Sequence, residues 1–127
     1  MIALDSDVLI EILDRKSEKG VEAFKRILAS GEEVCTTVIS IHEVLFGMNK
    51  YGKPVKELLQ LPVLNYTKTD AVLSSKLELK TEQTGQIMQR TDTMVAAIAI
   101  NNNVILYTFN LKHFEALEPH GLKLFKK

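Results

Sequence analysis

A single cysteine, Cys35, excludes an internal disulfide, and its apolar setting in EEVCTTVIS marks a buried thiol in a reducing compartment. Charge of one sign is also missing. Lys+Arg and Asp+Glu both number 16, so no bulk charge gathers polyanions, although a local basic rim stays open. No stretch is apolar enough to span a membrane, and the opening MIALDSD lacks the charged start and long apolar run of a secretion signal. A soluble cytoplasmic protein is expected. The glycines form no phosphate loop, no serine sits in a nucleophile elbow, and no Ser/His/Asp set can be assembled. The three histidines show no zinc-like spacing. Repeats, low-complexity tracts and linkers are absent too, so one domain over residues 1–127 is expected.

What remains is an alternation of short apolar runs and helical patterns. Strands are expected at Ile2–Asp5, in EEVCTTVIS, in LPVLNY, in VILYT and in GLKLF. A short helix through Leu13 follows the first. SEKGVEAFKRILASG is a stronger helix, with Val21, Phe24, Ile27 and Leu28 on one face and Gly31 as its stop. Further helices are expected in SIHEVLFGMNKYG with Ser40 as cap, in KPVKELLQL with Pro54 near its first turn, and in TDAVLSSKLELKTEQTG with Thr69 as cap. RTDTMVAAIAINNN is nearly all apolar and reads as a core helix, and NLKHFEAL as a helical turn or two. Apolar strands without strict alternation, separated by helices, make an α/β layer fold with a mainly parallel sheet. Such folds bind ligands at the carboxyl ends of their strands, near the point where strand order reverses.

Acids at those ends therefore matter, each against a plainer role. Asp5 closes the first strand, yet Asp5, Ser6 or Asp7 could simply cap the next helix. Glu43 stands three residues after Ser40, as in a capping box, but also begins the apolar face of Val44, Leu45 and Phe46. Asp92 precedes MVAAIAI, where an acid in the first turn also suits the helix dipole. Asn110 follows the VILYT strand at a position typical of turns or caps. Carboxylates brought together repel and raise one another's pKa unless a cation intervenes. Oxygen-rich acidic sites are what a hard ion such as Mg²⁺ selects, and such an ion can activate water against a phosphodiester.

Taken in order, LDSDVLI, TTVISIHEVLFG, TDTMVAAIAI and YTFNLKHFEAL resemble the motifs of PIN-domain nucleases, especially the VapC toxins of toxin–antitoxin pairs. The resemblance runs over nearly the whole chain. It implies a PIN-like three-layer α/β fold, with a mainly parallel five-stranded sheet in order 3-2-1-4-5 flanked by helices. It also implies Mg²⁺ or Mn²⁺ in an acidic pocket, hydrolysis of RNA, a homodimer and a cognate VapB-like antitoxin that blocks the site. Carried over residue by residue, Asp5 and Asp92 would be the main metal ligands, Glu43 would complete the catalytic set, and Ser6, Thr108 and Asn110 would support the pocket. Arg90 and Lys112 flank it in sequence and are candidates for substrate phosphate. Lys50 and Lys53 follow the Glu43 helix.

The chain departs from the pattern at Asn110, with His113 nearby, where members of the family often offer a fourth acid. Asp7 could supply some of that charge, although it also reads as a helix-start residue. The departure motivates an alternative, a PIN-like module that has lost efficient catalysis and serves in RNA binding or protein interaction. The DSDVL opening also resembles that of haloacid dehalogenase-like phosphatases, but the Thr108-Phe109-Asn110 that closes the VILYT strand lacks the acid pair those enzymes need.

Overall fold

In a computed structural model, which describes residues 1–126, the five expected strands form one sheet. They are β1 (Ile2–Leu4), β2 (Val34–Thr37), β3 (Val63–Leu64), β4 (Ile105–Tyr107) and β5 (Lys123–Leu124). Every pairing is parallel and the order is β3-β2-β1-β4-β5, as the resemblance implied. Parallel neighbours need crossovers, and the helices supply them. They are α1 (Ser6–Leu9), which runs on as a π-helical turn (Ile10–Asp14), α2 (Glu18–Ser30), α3 (Val38–Lys50), α4 (Lys56–Leu59), α5 (Lys68–Gln83), α6 (Arg90–Asn101) and α7 (Leu111–Glu115).

Residue alternation along the central strand divides the core. Ile2 and Leu4 point into a cluster with Val8, Leu9, Ala23, Ile27, Val44 and Leu58, which belong to α1–α4. Ala3 points the other way, with Cys35 and Leu106, against Leu77, Val95, Ala96, Phe114 and Leu117. Cys35 is fully buried, and burial raises its thiol pKa. The register aligns Leu4 with Thr36 on one side and Tyr107 on the other, so β1, β2 and β4 end at one level. The chain moves from β1 to β2 on one side and returns to β4 on the other. The cleft between β1 and β4 is thus where strand order reverses. Among the described residues no helix is long and apolar enough to cross a membrane.

Two helix starts differ from expectation. Thr37, rather than Ser40, caps α3: the last residue of β2 is still extended (φ −100°, ψ 157°), and its hydroxyl oxygen accepts from Ser40 N at 3.1 Å. Strand passes into helix without a loop, so the strand's final residue becomes the cap. Thr67, rather than Thr69, caps α5 in a capping box with Asp70, whose carboxylate also accepts from Asn101 of α6 at 2.8 Å. The α2 face also differs. Gly20, Ala23 and Ile27 are the residues turned inward, whereas Val21, Phe24 and Leu28 are exposed by 52%, 49% and 64%. The glycine decides this, because a Cβ at Gly20 would lie 2.1 Å from the carbonyl oxygen of Glu11. The small-residue side alone approaches the π-helical turn closely enough to pack.

Candidate active site

Asp5 lies where β1 stops. Its N–H still donates to Tyr107 O at 2.9 Å, and its carboxylate then caps α1 by accepting from Ser6 N at 2.9 Å. The second carboxylate oxygen accepts from the Thr108 hydroxyl at 3.0 Å, and the Ser40 hydroxyl lies 3.4 Å from the first. Cap and candidate site residue are therefore the same group. Asp5 is only 8% exposed, and its carboxyl is pushed up to about 6. Burial is the largest cause and the charge of Asp7 the next, with Asp92 adding less. The Ser6 N–H and Thr108 hydroxyl oppose the rise.

Asp7 joins α1 to the exit of β4. It accepts from Val8 N at 2.8 Å and, across the cleft, from Phe109 N at 3.0 Å. Burial raises its carboxyl, while those two N–H groups, Thr108 and Lys19 pull it down. Asp7 is thus both the helix-start residue expected and a latch for the loop that carries Thr108.

With Thr37 as the cap, Glu43 is released from the capping-box role and stands in the second turn of α3. Its carboxyl is raised first by desolvation and then by the charge of Asp92, with Asp7 adding a little and Ser6 and His42 opposing. Asp92 projects from the first turn of α6, its side chain 27% exposed, with His113 Nε2 2.9 Å from its Oδ2. Behind it, Thr93 is buried between α5 and α6, bonded to the Ser74 hydroxyl at 3.1 Å and to Arg90 O at 2.8 Å. The field of Asp92 reaches both Asp5 and Glu43, so these residues with Ser6, Asp7 and Thr108 share one acidic cleft.

The remaining candidates lie differently. Asn110 is exposed, and its N–H donates to the Thr108 hydroxyl oxygen at 3.2 Å. Arg90 points to α5, where Glu78 takes its guanidinium in two hydrogen bonds of 3.0 and 3.1 Å. Lys112 is exposed on α7, beside Gln86, Ile87 and His113. Lys53 is paired with Asp14, and Lys50 lies 5.8 Å from the Tyr51 ring. Sequence reasoning missed two contacts, one of His113, noted only beside Asn110, and one of Lys19. His113 is turned onto Asp92, and Lys19 stands 4.2 Å over the ring of Phe109, beside Asp7.

A buried carboxylate with a raised pKa, flanked by further acids and, among the described residues, with no cationic side chain paired to it, suits a hard divalent ion. Among the described residues no three His, Cys, Asp or Glu side chains close into an all-protein cage. An open site of one or two carboxylates, completed by water and substrate phosphate, is the arrangement Mg²⁺ ordinarily accepts.

The family model for the PIN domain matches residues 2–118. The chain belongs to the PIN domain family. Its acidic cleft lies at the carboxyl edge of a PIN-like sheet, between β1 and β4. Among its relatives, the protein named Ribonuclease VapC2 from Haemophilus influenzae is 24% identical over 119 residues, covering 88% of each chain. The fold matches VapBC2 of Rickettsia felis, solved bound to a DNA fragment from its promoter, with a TM-score of 0.80, 22% identity and 98% of both chains covered. It also matches a toxin-antitoxin complex from Klebsiella pneumoniae, with a TM-score of 0.77, 19% identity, and 99% of this chain and 97% of that one covered.

Proposed function

We propose that this PIN-domain chain is a Mg²⁺- or Mn²⁺-dependent endoribonuclease, the VapC-type toxin of a toxin–antitoxin pair. The observation that carries the reading is Asp5, buried at the switch point of the sheet with its carboxyl raised to about 6 and Asp92 and Asp7 acting on it. Relatives named as ribonucleases support the choice of substrate. Asp5 and Asp92 would hold the ion, with Glu43 completing the set directly or through water.

When bound, the ion would activate water for attack on a phosphodiester and stabilise the departing oxygen. The chain's own residues set the stage for that chemistry. Thr108 and Ser6 N–H fix the Asp5 carboxylate, so its rotamer is set before any ligand arrives. The latch from Asp7 to Phe109 N holds the Thr108 loop at the correct height. Glu43, the acid more open to solvent, would accept the proton from water, and desolvation with the charge of Asp92 raises its carboxyl and so its strength as a base.

Large apolar side chains stand exposed on α2 (Phe24), α3 (Phe46) and α5 (Val72, Leu79). They provide apolar surface for the antitoxin and for the second copy of a homodimer. The rival reading, a weakened binding module, draws on Asn110 and on the Asp92–His113 pair.

Incubation of the purified chain with total RNA and Mn²⁺ or Mg²⁺, followed by mapping of new ends, separates the two readings. Discrete cleavage that disappears with chelator, with Asp5→Asn and with Asp92→Asn is the expected result. Intact RNA under every condition, with binding retained, would favour the module.

A further inference from the structure

Lys19 occupies the second position of α2, after the cap Ser17 and Glu18. A cation there opposes the helix dipole, which favours positive side chains at the other end. Among the described residues Lys19 forms no ion pair, unlike Arg90 with Glu78 or Lys53 with Asp14. Its ammonium instead lies 4.2 Å over the Phe109 ring. That ring belongs to the residue whose N–H is tied to Asp7 at 3.0 Å, so the loop beneath the lysine is fixed to the acidic cleft. Lys19 is itself exposed and within reach of the charge of Asp7. The result is a cation that, among the described residues, has no ion-pair partner and lies over an aromatic face at the rim of an anionic cleft. A lysine in that position can meet a phosphate as a point charge while its ammonium keeps one side against the ring face.

We propose that Lys19 is the substrate-positioning cation of this site, contacting a backbone phosphate of single-stranded RNA that enters the cleft over Phe109. The inference rests on the ribonuclease reading and deepens it by giving the substrate an entry side. It also reassigns the phosphate contact expected of Arg90, whose guanidinium is already held by Glu78. A lysine contacting phosphate adds affinity without selecting sequence, and it makes binding more salt-dependent.

The test uses the full chain and a 5′-fluorescein dodecamer RNA of mixed sequence, with Ca²⁺ replacing Mg²⁺. Fluorescence anisotropy is followed across a KCl titration for wild type, Lys19→Gln, Lys19→Arg and Arg90→Gln, with melting curves to show that each variant folds. Lys19→Gln should bind more weakly, and its plot of log affinity against log salt should lose about 0.7 of slope, the share of one phosphate contact on a single strand. Lys19→Arg should keep the slope, and Arg90→Gln should match wild type. A merely structural lysine would not change the salt slope.

Equal slopes for wild type and Lys19→Gln would overturn the proposal while leaving the nuclease reading in place if wild type still cleaves RNA. A slope lost in Arg90→Gln and kept in Lys19→Gln would overturn it in favour of Arg90. A wild type that neither binds nor cleaves RNA would remove the nuclease reading, and this proposal with it.

Discussion

His113 Nε2 lies 2.9 Å from Asp92 Oδ2, which ties α7 to the first turn of α6 across the mouth of the cleft. Asn110, the residue where an acid is often found in this family, is exposed three positions earlier. The chain thus presents an imidazole to Asp92 from the segment that elsewhere presents a carboxylate. A hydrogen bond to one oxygen orients the carboxylate and, among the described residues, leaves its other oxygen without a partner, which is what a group behind a metal ligand does if Asp92 holds the proposed ion.

On the metal-dependent reading, His113→Ala should weaken Mn²⁺ binding by about tenfold, the low end of what loss of an outer partner costs. His113→Gln, which keeps a donor, should lose less. The readout is the rise in melting temperature with Mn²⁺ concentration, compared between variants. Tighter binding by His113→Ala would show instead that His113 competes with the ion for Asp92.

Asp5 makes folding stability depend on pH. Its ordinary pKa of 3.8 rises to about 6 in the fold, chiefly through burial and then through Asp7. The folded state therefore keeps a proton that the unfolded chain has already released. Any stability this group contributes is full below the unfolded value and is lost as pH rises through about 6, amounting to about 3 kcal/mol. Asp5→Asn cannot ionise and should melt higher than wild type at neutral pH in chelator. The two should converge toward about pH 4. A variant that melts lower across the whole range would mark the lost cap and Thr108 bonds as the larger effect.

Gly20 and Gly47 make a contrasting pair. A Cβ at Gly20 would meet Glu11 O at 2.1 Å and Glu11 C at 2.4 Å, both backbone atoms that have no rotamer to change. Gly20→Ala should cost about 2–3 kcal/mol in denaturant unfolding as α2 is pushed off the π-helical turn. At Gly47, inside α3, nothing lies within 4 Å of the added methyl. Gly47→Ala should stabilise by about 0.5–1 kcal/mol through helix propensity. Equal effects of the two substitutions would mean that the close approach at Gly20 is not a constraint.

The sheet was legible because parallel strands buried on both faces are written as short runs of apolar or β-branched residues: Ile2–Leu4 and Ile105–Tyr107 are of the first kind, and Val34–Thr37, with its two threonines, is of the second. The acids at strand and helix ends followed from the same reading. Helix caps were less legible, because Thr37 and Thr67 each precede a second residue able to cap, Ser40 and Thr69, and only the backbone angles choose between them. The α2 periodicity pointed to Val21, Phe24, Ile27 and Leu28; of these Ile27 is buried, and close packing selected Gly20 and Ala23 beside it. The contact of His113 with Asp92 and the role of Lys19 could not be read, since each depends on a residue distant in sequence; in the sequence His113 stands only as a neighbour of Asn110. Lys19 left one trace, a cation at the wrong end of a helix.

Tyr107 offers a final check on the geometry beside the site. The residue is 3% exposed, its ring stacked on Phe125 at a centroid distance of 4.5 Å and edge-on to Phe109 at 5.9 Å. Among the described residues its hydroxyl has no hydrogen-bond partner. Burying an unpaired hydroxyl costs more than burying the bare ring, so Tyr107→Phe should raise stability by about 1 kcal/mol. The stacking should survive, and Thr108, next in the chain, should keep its bond to Asp5. The Mn²⁺ response of Tyr107→Phe should accordingly equal that of wild type. A lower melting temperature would reveal a buried water that satisfies the hydroxyl. A changed Mn²⁺ response would show that packing around Tyr107 sets the height of the Thr108 loop.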